Sequence, residues 1–474
     1  MKREEIEKIY DQGKEAVIEF IFRQDEIITS LLMRVKELED RLNKDSHNSS
    51  KPPSSDGLNR RDRRAHNRKS GKKRGGQKGH EGAQMKMKEH PDHIKKHEVC
   101  SCGRCSRSIS HVKAKGILKR QVFDVPEVEI EVTEHQAEIK GCPYCGYVTE
   151  AQFPDTITRP TQYGSRIKGI ITYLSQYQLI PYERVSELLK DIFGADISTG
   201  TIYNTNRQAY EAAEKPEEAV KDLLKEQPLL HVDETGVSCA DATRWVHVVS
   251  TDSLTYLGLH SKRGKEAIEA MGIIPEYRGY LMHDFWSSYL SYNNCSHLFC
   301  NAHLLRELTA VHEDYKQKWA AQMIDVLMTA KKMSDKREKR LNNKTVEMII
   351  NEYDTLVQKG LRINPLEKKT TVRRGRKKKS KPRNLLERLR DYRDGILGFA
   401  YNVSVPFDNN QGERDIRMLK VQQKISGCFR SVEGGLIFTR IRGYISTVKK
   451  NDRNVLDAIQ GLFENRPFTP EFAE

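Results

Sequence analysis

The stretch Leu229-Leu230-His231-Val232-Asp233-Glu234 decides the fold. Its apolar run is that of a short buried strand ending at Asp233-Glu234. Arg244–Thr251 (RWVHVVST) and Leu254–Ser261 (LTYLGLHS) read as two more strands, joined by a tight turn at Asp252-Ser253. Gly264–Met271 reads as a helix, Gly279–Met282 as a fourth strand ending at His283-Asp284, and Leu298–His303 can supply a fifth. In that order the first and fourth strands lie side by side, and their ends bring Asp233 and Asp284 together.

This is the opening of a ribonuclease-H-like α/β fold. Two carboxylates forced together are costly unless cations share the site. Hard divalent ions do this, with Mg²⁺ taking carboxylates, phosphate oxygens and water. Two-metal phosphoryl transfer wants a further carboxylate from another element. The best candidate is Glu413 in VPFDNNQGERDIRMLKVQQK, where Pro406 and Asp408-Asn409-Asn410 form a turn and cap and a helix runs from about Gln411. Glu413 then sits in the first turn, facing Arg417 and Lys420, whose cations can bind DNA phosphates. Glu234, Asp408 and Asp415 are the rival carboxylates.

Outward from this core, the N-terminal part carries three further modules. From Val17 to Leu42 the apolar residues follow a heptad: Ile21, Ile28, Val35 and Leu42 on one row, Val17, Leu31 and Leu38 on the other, with Gln24 its polar member. This reads as a short coiled coil pairing two chains; an amphipathic helix lying on its own domain is the alternative. Ser46–Gly82 is rich in Ser, Gly, Lys and Arg and has almost nothing to bury, so it reads as a disordered basic arm, with Arg63, Arg64, Lys72 and Lys73 for DNA phosphates. Next come Cys102-Gly-Arg-Cys105 and Cys142-Pro-Tyr-Cys145. Each C-x-x-C turn can aim two thiolates at one Zn²⁺, and with the alternating segment Gln121–Ile139 between them they describe a zinc ribbon. Cys100 and His97 are alternative ligands.

Between Tyr163 and Asn206 the pattern is helical, with one helix stopped before Pro181, a second (YERVSELLKDIF) ended by Gly194, and a third capped by Ser198. This is helix-turn-helix grammar, and as a DNA reader it would turn Thr199, Thr201, Asn204 and Asn206 towards a groove or backbone. An ordinary three-helix packing unit has the same pattern. Between Asp284 and Glu413 the excess, about Val311–Arg393, reads as inserted helices (Lys316–Met333 and Val346–Leu361) plus a basic loop. Arg373, Arg374, Lys377 and Lys378 in that loop are candidate phosphate contacts. Gly443–Lys450 and Asn454–Phe463 read as closing helices.

HVDETGV (231–237), HDFWSSY (283–289), CNAHLLREL (300–308), FDNNQGER (407–414) and KISGCFRSVEGG (424–435) resemble insertion sequence 66 family transposases, and the resemblance covers almost the whole chain. It implies DDE chemistry on Asp233, Asp284 and Glu413, with Lys420 at the basic position that follows the glutamate. It also implies the N-terminal zipper, the zinc module and a possible need for helper proteins. The chain departs from the family pattern in Leu304-Leu305-Arg306-Glu307-Leu308, where a more basic run is usual. A structural role for His303 is therefore an open alternative to a site role for His303 and Arg306.

The 474 residues suit about three domains, and 81 Lys+Arg against 66 Asp+Glu leave a net charge of +15. The basic excess points to nucleic acid. No apolar run is long enough to span a membrane, and the N-terminus lacks a signal-peptide core. Nine unevenly spaced cysteines read as a metal site plus isolated thiols. The expectation is a multidomain α+β protein, cytoplasmic and nucleoid-associated. Its expected parts are a coiled-coil helix (1–45), a basic arm (46–95), a zinc module (96–154), a helix-turn-helix region (155–220), a catalytic domain (221–310 and 394–450) with a helical insertion (311–393), and a C-terminal helix and tail (451–474). The function expected is a DNA transposase using Mg²⁺ or Mn²⁺ on double-stranded DNA as a homodimer or higher assembly. The alternatives are an inactive DNA-binding derivative and a metal-dependent nuclease.

Overall fold

The computed structural model describes residues 9–42, 85–335, 341–366 and 379–471. Arg63, Arg64, Lys72 and Lys73 of the arm and Arg373, Arg374, Lys377 and Lys378 of the basic loop lie outside the described residues. Two units make up the chain: Leu58–Thr133 with Ile192–Gly194, and the remainder.

The alternation over Gln121–Ile139 predicts strands, and here the structure differs. Among the described residues only the last of this segment enters a ladder, β1 (Ile139–Gly141), which pairs antiparallel with β2 (Val148–Glu150). Val122 is 91% and Val132 87% exposed. An alternating strand is stable only where a layer covers its apolar face, and among the described residues none does so here.

In the larger unit, α1 (Lys14–Leu42) precedes the hairpin. A helical group follows: α2 (Ser165–Thr172), widening into a π-type turn over Tyr173–Tyr177, then α3 (Tyr182–Phe193), α4 (Thr199–Ala212) and α5 (Glu214–Lys225). Gly194, at φ +65°, ends α3 in the left-handed conformation that suits glycine. The Ser198 hydroxyl accepts the Thr201 N–H at 3.2 Å and caps α4. Thr199 and Asn204 are exposed on α4, but Asn206 is fully buried. Its amide donates to Ser175 Oγ (3.0 Å) and Tyr182 Oη (3.1 Å), so it ties three helical segments together and does not face a groove.

The sheet has the order β5-β4-β3-β6-β7, from β3 (Leu229–Cys239), β4 (Ala242–Ser250), β5 (Thr255–His260), β6 (Tyr280–His283) and β7 (Ser296–Phe299). β3–β4 and β4–β5 are antiparallel; β3–β6 and β6–β7 are parallel. The first strand is longer than its apolar run suggests. It passes through Asp233-Glu234 to Cys239, where Ala240 and Asp241, at φ +49° and +60°, form a tight hairpin turn. The antiparallel partner β4 extends the pairing past the charged residues. The fifth strand ends at Phe299, and Asn301–His303 instead open a helix, α7 (Asn301–Tyr315).

Alternation along β3 sorts its side chains onto two faces. Leu230 and Val232 pack with Val220 and Leu224 of α5 and Ile268 of α6 (Lys265–Met271). Val237 and Cys239 pack on the other face with Ile416, Leu419 and Phe438, from helices named below. By the same period Asp233 shares the face of Val237, and Glu234 that of Val232.

Among its described residues, the segment expected as an insertion holds three helices, one more than the sequence pattern suggests: α8 (Lys318–Asp335), α9 (Asn343–Ile363) and α10 (Lys381–Asp391). They pack with α7 around the fully buried Trp319, and Tyr353 Oη donates to Leu389 O at 2.8 Å. The charge-rich sequence KPRNLLERLRD of α10 still buries Leu385, Leu386 and Leu389 on one face. After it come α11 (Asn410–Ser426), α12 (Val432–Lys450) and α13 (Val455–Phe463).

Both sheet edges are covered. Thr255 N–H of β5 donates to Thr447 Oγ1 of α12 at 3.0 Å. At β7 the chain passes so close that a Cβ on Gly395 would strike the His297 carbonyl. Lys450 Nζ at the end of α12 donates to Asp415 Oδ2 of α11 (2.7 Å) and to the carbonyls of Thr251 and Leu254 (2.6 and 3.0 Å). Both charged side chains are nearly buried. Lys450→Met leaves Asp415 buried and unpaired, and is expected to cost about 3 kcal/mol, read as a lowered midpoint in thermal or urea unfolding. An unchanged midpoint contradicts this reading of the pair.

Candidate active site

Three elements converge at the middle of β3. The parallel register pairs Leu229 with Tyr280, Leu230 with Leu281 and His231 with Met282. The same offset, carried two residues on, sets Asp284 opposite Asp233. Asp284 directly follows β6 and accepts the Trp286 N–H at 3.3 Å. Between them Phe285 adopts φ +69°, a conformation costly for a bulky side chain. A stack on Phe299 holds it, with centroids 3.9 Å apart and planes 12° from parallel, and Arg388 of α10 lies 5.2 Å from the ring centroid. Beneath, His297 Nε2 donates to the Tyr292 carbonyl (2.9 Å), so its Nδ1 accepts from His283 Nε2 at 3.0 Å. Burial drives the His283 ring down to about 3, and both rings are neutral supports.

Asn409 brings in the third carboxylate. It sits at the cap position of α11, but its side chain does not cap the helix. Its carbonyl accepts from His231 Nδ1 (2.8 Å), its amide donates to the Val232 carbonyl (2.8 Å), and its backbone N–H donates to Cys300 Sγ (3.2 Å). The first turn of α11, carrying Glu413, is thereby riveted to β3 beside Asp233. Glu413 Oε1 lies 3.0 Å from His303 Nε2 in the first turn of α7.

The electrostatics of the cluster are uneven. Burial, then the carboxylates of Glu234, Asp284 and Glu413, push Asp233 up to about 7. The Glu234 N–H, donating at 2.8 Å, only partly offsets this. Burial and Asp284 also raise Glu234, against the pull of Arg263 and Tyr289. Glu413 is lowered, chiefly by its hydrogen bond to His303 and further by Arg306 and Arg417. Burial works most strongly against the His303 imidazolium, yet the Glu413 hydrogen bond and the charges of Asp284 and Glu413 together leave the ring above its ordinary value.

Half-buried Asp233, raised by desolvation and then by its carboxylate neighbours, belongs to a donor set that fits a hard divalent cation, which would remove the repulsion. Among the described residues, Cys300, His303 and Glu413 are the set whose donor atoms all lie within 4.8 Å of one another. Cys300 is a poor partner for a hard ion: burial pushes its thiol up to about 11, and the Asn409 N–H already occupies its sulfur. We read this set as the tether of Glu413.

The other sequence candidates fall into place around this cluster. Glu234 pairs with Arg263 and Tyr289, Asp408 accepts the Asn410 N–H (3.1 Å), and Asp415 pairs with Lys450. Lys420 Nζ donates to the Gly236 carbonyl at 2.5 Å, so it braces α11 on β3, while Arg417 is exposed. Sequence reasoning missed Asn409 as a clamp and left His303 between two roles; its position in CNAHLLREL, beside a buried cysteine, was the available signal.

The two cysteine knuckles have matching local geometry. In the smaller unit Cys102 N–H donates to Arg107 O, and the N–H groups of Arg104 and Cys105 lower the Cys102 thiol. In the larger unit Cys142 N–H donates to Tyr147 O, and the N–H groups of Tyr144 and Cys145 lower the Cys142 thiol. Backbone amides aimed at sulfur favour the thiolate that zinc requires.

Fold and site define a mixed α/β protein with an acidic centre on a five-stranded sheet. The model of the IS66 transposase family matches residues 160–436, more than half of the chain, and the chain belongs to that family of DNA-acting enzymes. A family of unknown function (DUF6444) matches residues 5–86. A search of curated proteins gives no match. No helix among the described residues is long and apolar enough to cross a membrane.

A native-state value raised from 3.8 to about 7 means that Asp233 costs nothing at pH below about 4, when folded and unfolded chains are both protonated there. Relative to that state stability falls as pH rises through 7, and the ionised carboxylate carries its full cost above it. At pH 8 in EDTA, Asp233→Asn is therefore expected to melt higher than the wild type, by a few kcal/mol at about 1.4 kcal/mol per pH unit. Mg²⁺ should raise the wild-type melting point more than that of the variant. A variant that melts lower at pH 8 contradicts this account.

Proposed function

We propose that the protein is a DNA transposase that cleaves and joins DNA strands at the centre formed by Asp233, Asp284 and Glu413. The observation that carries this reading is the crowding of half-buried Asp233 by the carboxylates of Glu234, Asp284 and Glu413, in a member of a transposase family. The strand order, with β3 flanked by β4 and β6, supports a ribonuclease-H-like catalytic domain. Asp233, Asp284 and Glu413 would hold Mg²⁺ or Mn²⁺. Such an ion supplies Lewis acidity and a more acidic bound water.

The chain's own residues supply positioning. Asn409 fixes the start of α11, and His303 keeps Glu413 ionised and aimed. In cleavage a water oxygen bonds to phosphorus, the P–O bond to the 3′ oxygen breaks, and a 3′-hydroxyl leaves. In joining, that 3′-hydroxyl attacks a second phosphodiester, so bonds are exchanged without a covalent protein–DNA intermediate. Arg417, exposed beside Glu413, is suited to a phosphate, as are Lys420 and the cations of the arm and basic loop.

The remaining modules serve DNA recognition and assembly in this reading. The exposed Thr199 and Asn204 of α4 fit a groove- or backbone-facing helix. Cys102, Cys105, Cys142 and Cys145 would hold a structural Zn²⁺. Ile21, Ile28, Leu31 and Val35 stand exposed along α1, which suits pairing with a second copy in a coiled coil. Nucleoid association and helper proteins belong to the same proposal.

Two experiments test it. Purified protein with DNA flanking its own gene should nick and join strands with Mg²⁺ or Mn²⁺, and not with EDTA. Asp233→Asn, Asp284→Asn and Glu413→Gln should each lose cleavage by at least about 10³-fold while still binding DNA; equal loss of binding and cleavage would assign Asp233 a structural role. Cleavage without joining would identify a nuclease. Elemental analysis should find one zinc per chain, lost on Cys142→Ser with Cys145→Ser; zinc-free wild-type protein would remove the zinc module from the account.

A further inference from the structure

The guanidinium of Arg263, in the loop between β5 and α6, is held on three sides. Its carbon lies 4.8 Å from the Trp245 ring centroid and 4.6 Å from that of Trp286, so an indole sits against it from each of two residues. Its Nε and Nη2 donate to Glu234 Oε1 at 3.1 and 2.6 Å. Glu234 is in turn fixed by Tyr289 Oη, which donates to its other oxygen at 2.9 Å. The Glu234 side chain is 1% exposed, whereas that of Arg263 is 43% exposed.

An arginine offers five N–H donors in a planar fork. Glu234 occupies the Nε–Nη2 edge, so the outer Nη1–Nη2 edge is the one left for a ligand. That edge matches the spacing of two oxygens on one phosphate. A guanidinium already immobilised in this way loses little side-chain freedom when it binds. Glu234 links it to the acidic centre: its carboxylate raises Asp233 and is itself raised by Asp284, although it leaves β3 on the opposite face from Asp233. Trp245 pairs in register with Gly236, and Trp286 lies two residues beyond Asp284.

We propose that Arg263 is a phosphate-binding residue that takes one DNA backbone phosphate on its outer edge, next to the phosphodiester held at Asp233 and Asp284. The inference rests on the reading of that centre as a DNA-cleaving site. Trp245 and Trp286 are its clamps, and Glu234, beside Asp233 but facing away from Glu413, is its anchor. This gives Glu234 a task that the carboxylate centre does not use.

The chain has three tryptophans, and the third, Trp319, is fully buried in the insertion core. Indole fluorescence therefore reports on the clamp. The full-length protein is titrated in EDTA with a duplex from the DNA flanking its own gene, at several KCl concentrations. The expected result is a fluorescence change that Trp286→Phe largely removes. Arg263→Lys, which keeps the ion pair with Glu234 but lacks the second edge, should bind about 10-fold more weakly with a salt slope lower by about 1. A duplex with single neutral methylphosphonates reads the same contact from the DNA side on unaltered protein. One position should weaken the wild type and leave Arg263→Lys unaffected. Wild-type affinity and slope in Arg263→Lys, or no such methylphosphonate position, overturns the inference. If Asp233→Asn loses Mg²⁺-dependent cleavage in the parallel assay, the cleavage reading survives that failure. If cleavage is independent of Asp233 while Arg263→Lys still weakens binding, the cleavage reading falls and the phosphate contact stands.

Discussion

The Asn409 side chain holds this site together. A primary amide can satisfy two backbone or side-chain partners at once, and Asn409 does so across the gap between a helix start and a strand. One end takes the His231 N–H and the other gives to Val232 O, both within two residues of Asp233. Buried, fully paired amides of this kind are expensive to disturb, because each freed partner is left without water. The position of Glu413 relative to Asp233 follows from that clamp more than from any helix-packing preference.

The clamp works against electrostatics. Four carboxylates, Asp233, Glu234, Asp284 and Glu413, are gathered where each would be better apart, and the protein distributes the cost unequally. Glu413 is relieved by His303, Glu234 by Arg263 and Tyr289, and Asp233 keeps the largest burden. A left-handed Phe285, stacked on Phe299 and covered by Arg388, adds backbone strain at the next position in the site. Arg388 also pairs with Glu307 of α7, and through Phe285 it brings α10 against the turn that carries Asp284. Strain and repulsion concentrated at one point suit the charged ligand of the proposed reading.

Much of this is legible in the sequence, for definite reasons. Short apolar runs ending in Asp233 and Asp284 identify strands whose order leaves one pairing, and parallel register then sets the two acids opposite each other. Local patterns fail where a tertiary partner decides. Asn409 reads as a helix cap, because the same residue type serves both roles and only the neighbouring strand distinguishes them. Asn206 reads as a DNA-facing residue on an exposed helix, yet packing with Ser175 and Tyr182 buries it. The segment Gln121–Ile139 alternates like a strand and finds no ladder, since alternation states a need for a covering layer without supplying one. Arg263 gives no local signal at all. Its partners Trp245, Trp286 and Glu234 come from three separate elements.

In the proposed reading the half-buried carboxylates Asp233 and Asp284, and not the tighter Cys300–His303–Glu413 set, hold a hard divalent cation. Crystals of the full-length protein grown with Mn²⁺ and measured at an anomalous wavelength would test this most directly. The account predicts an anomalous peak ligated by Asp233 and Asp284, with Cys300 uncoordinated and Asn409 still bridging His231 and Val232. A peak bound to Cys300 and His303, with Asp233 free of metal, would contradict it.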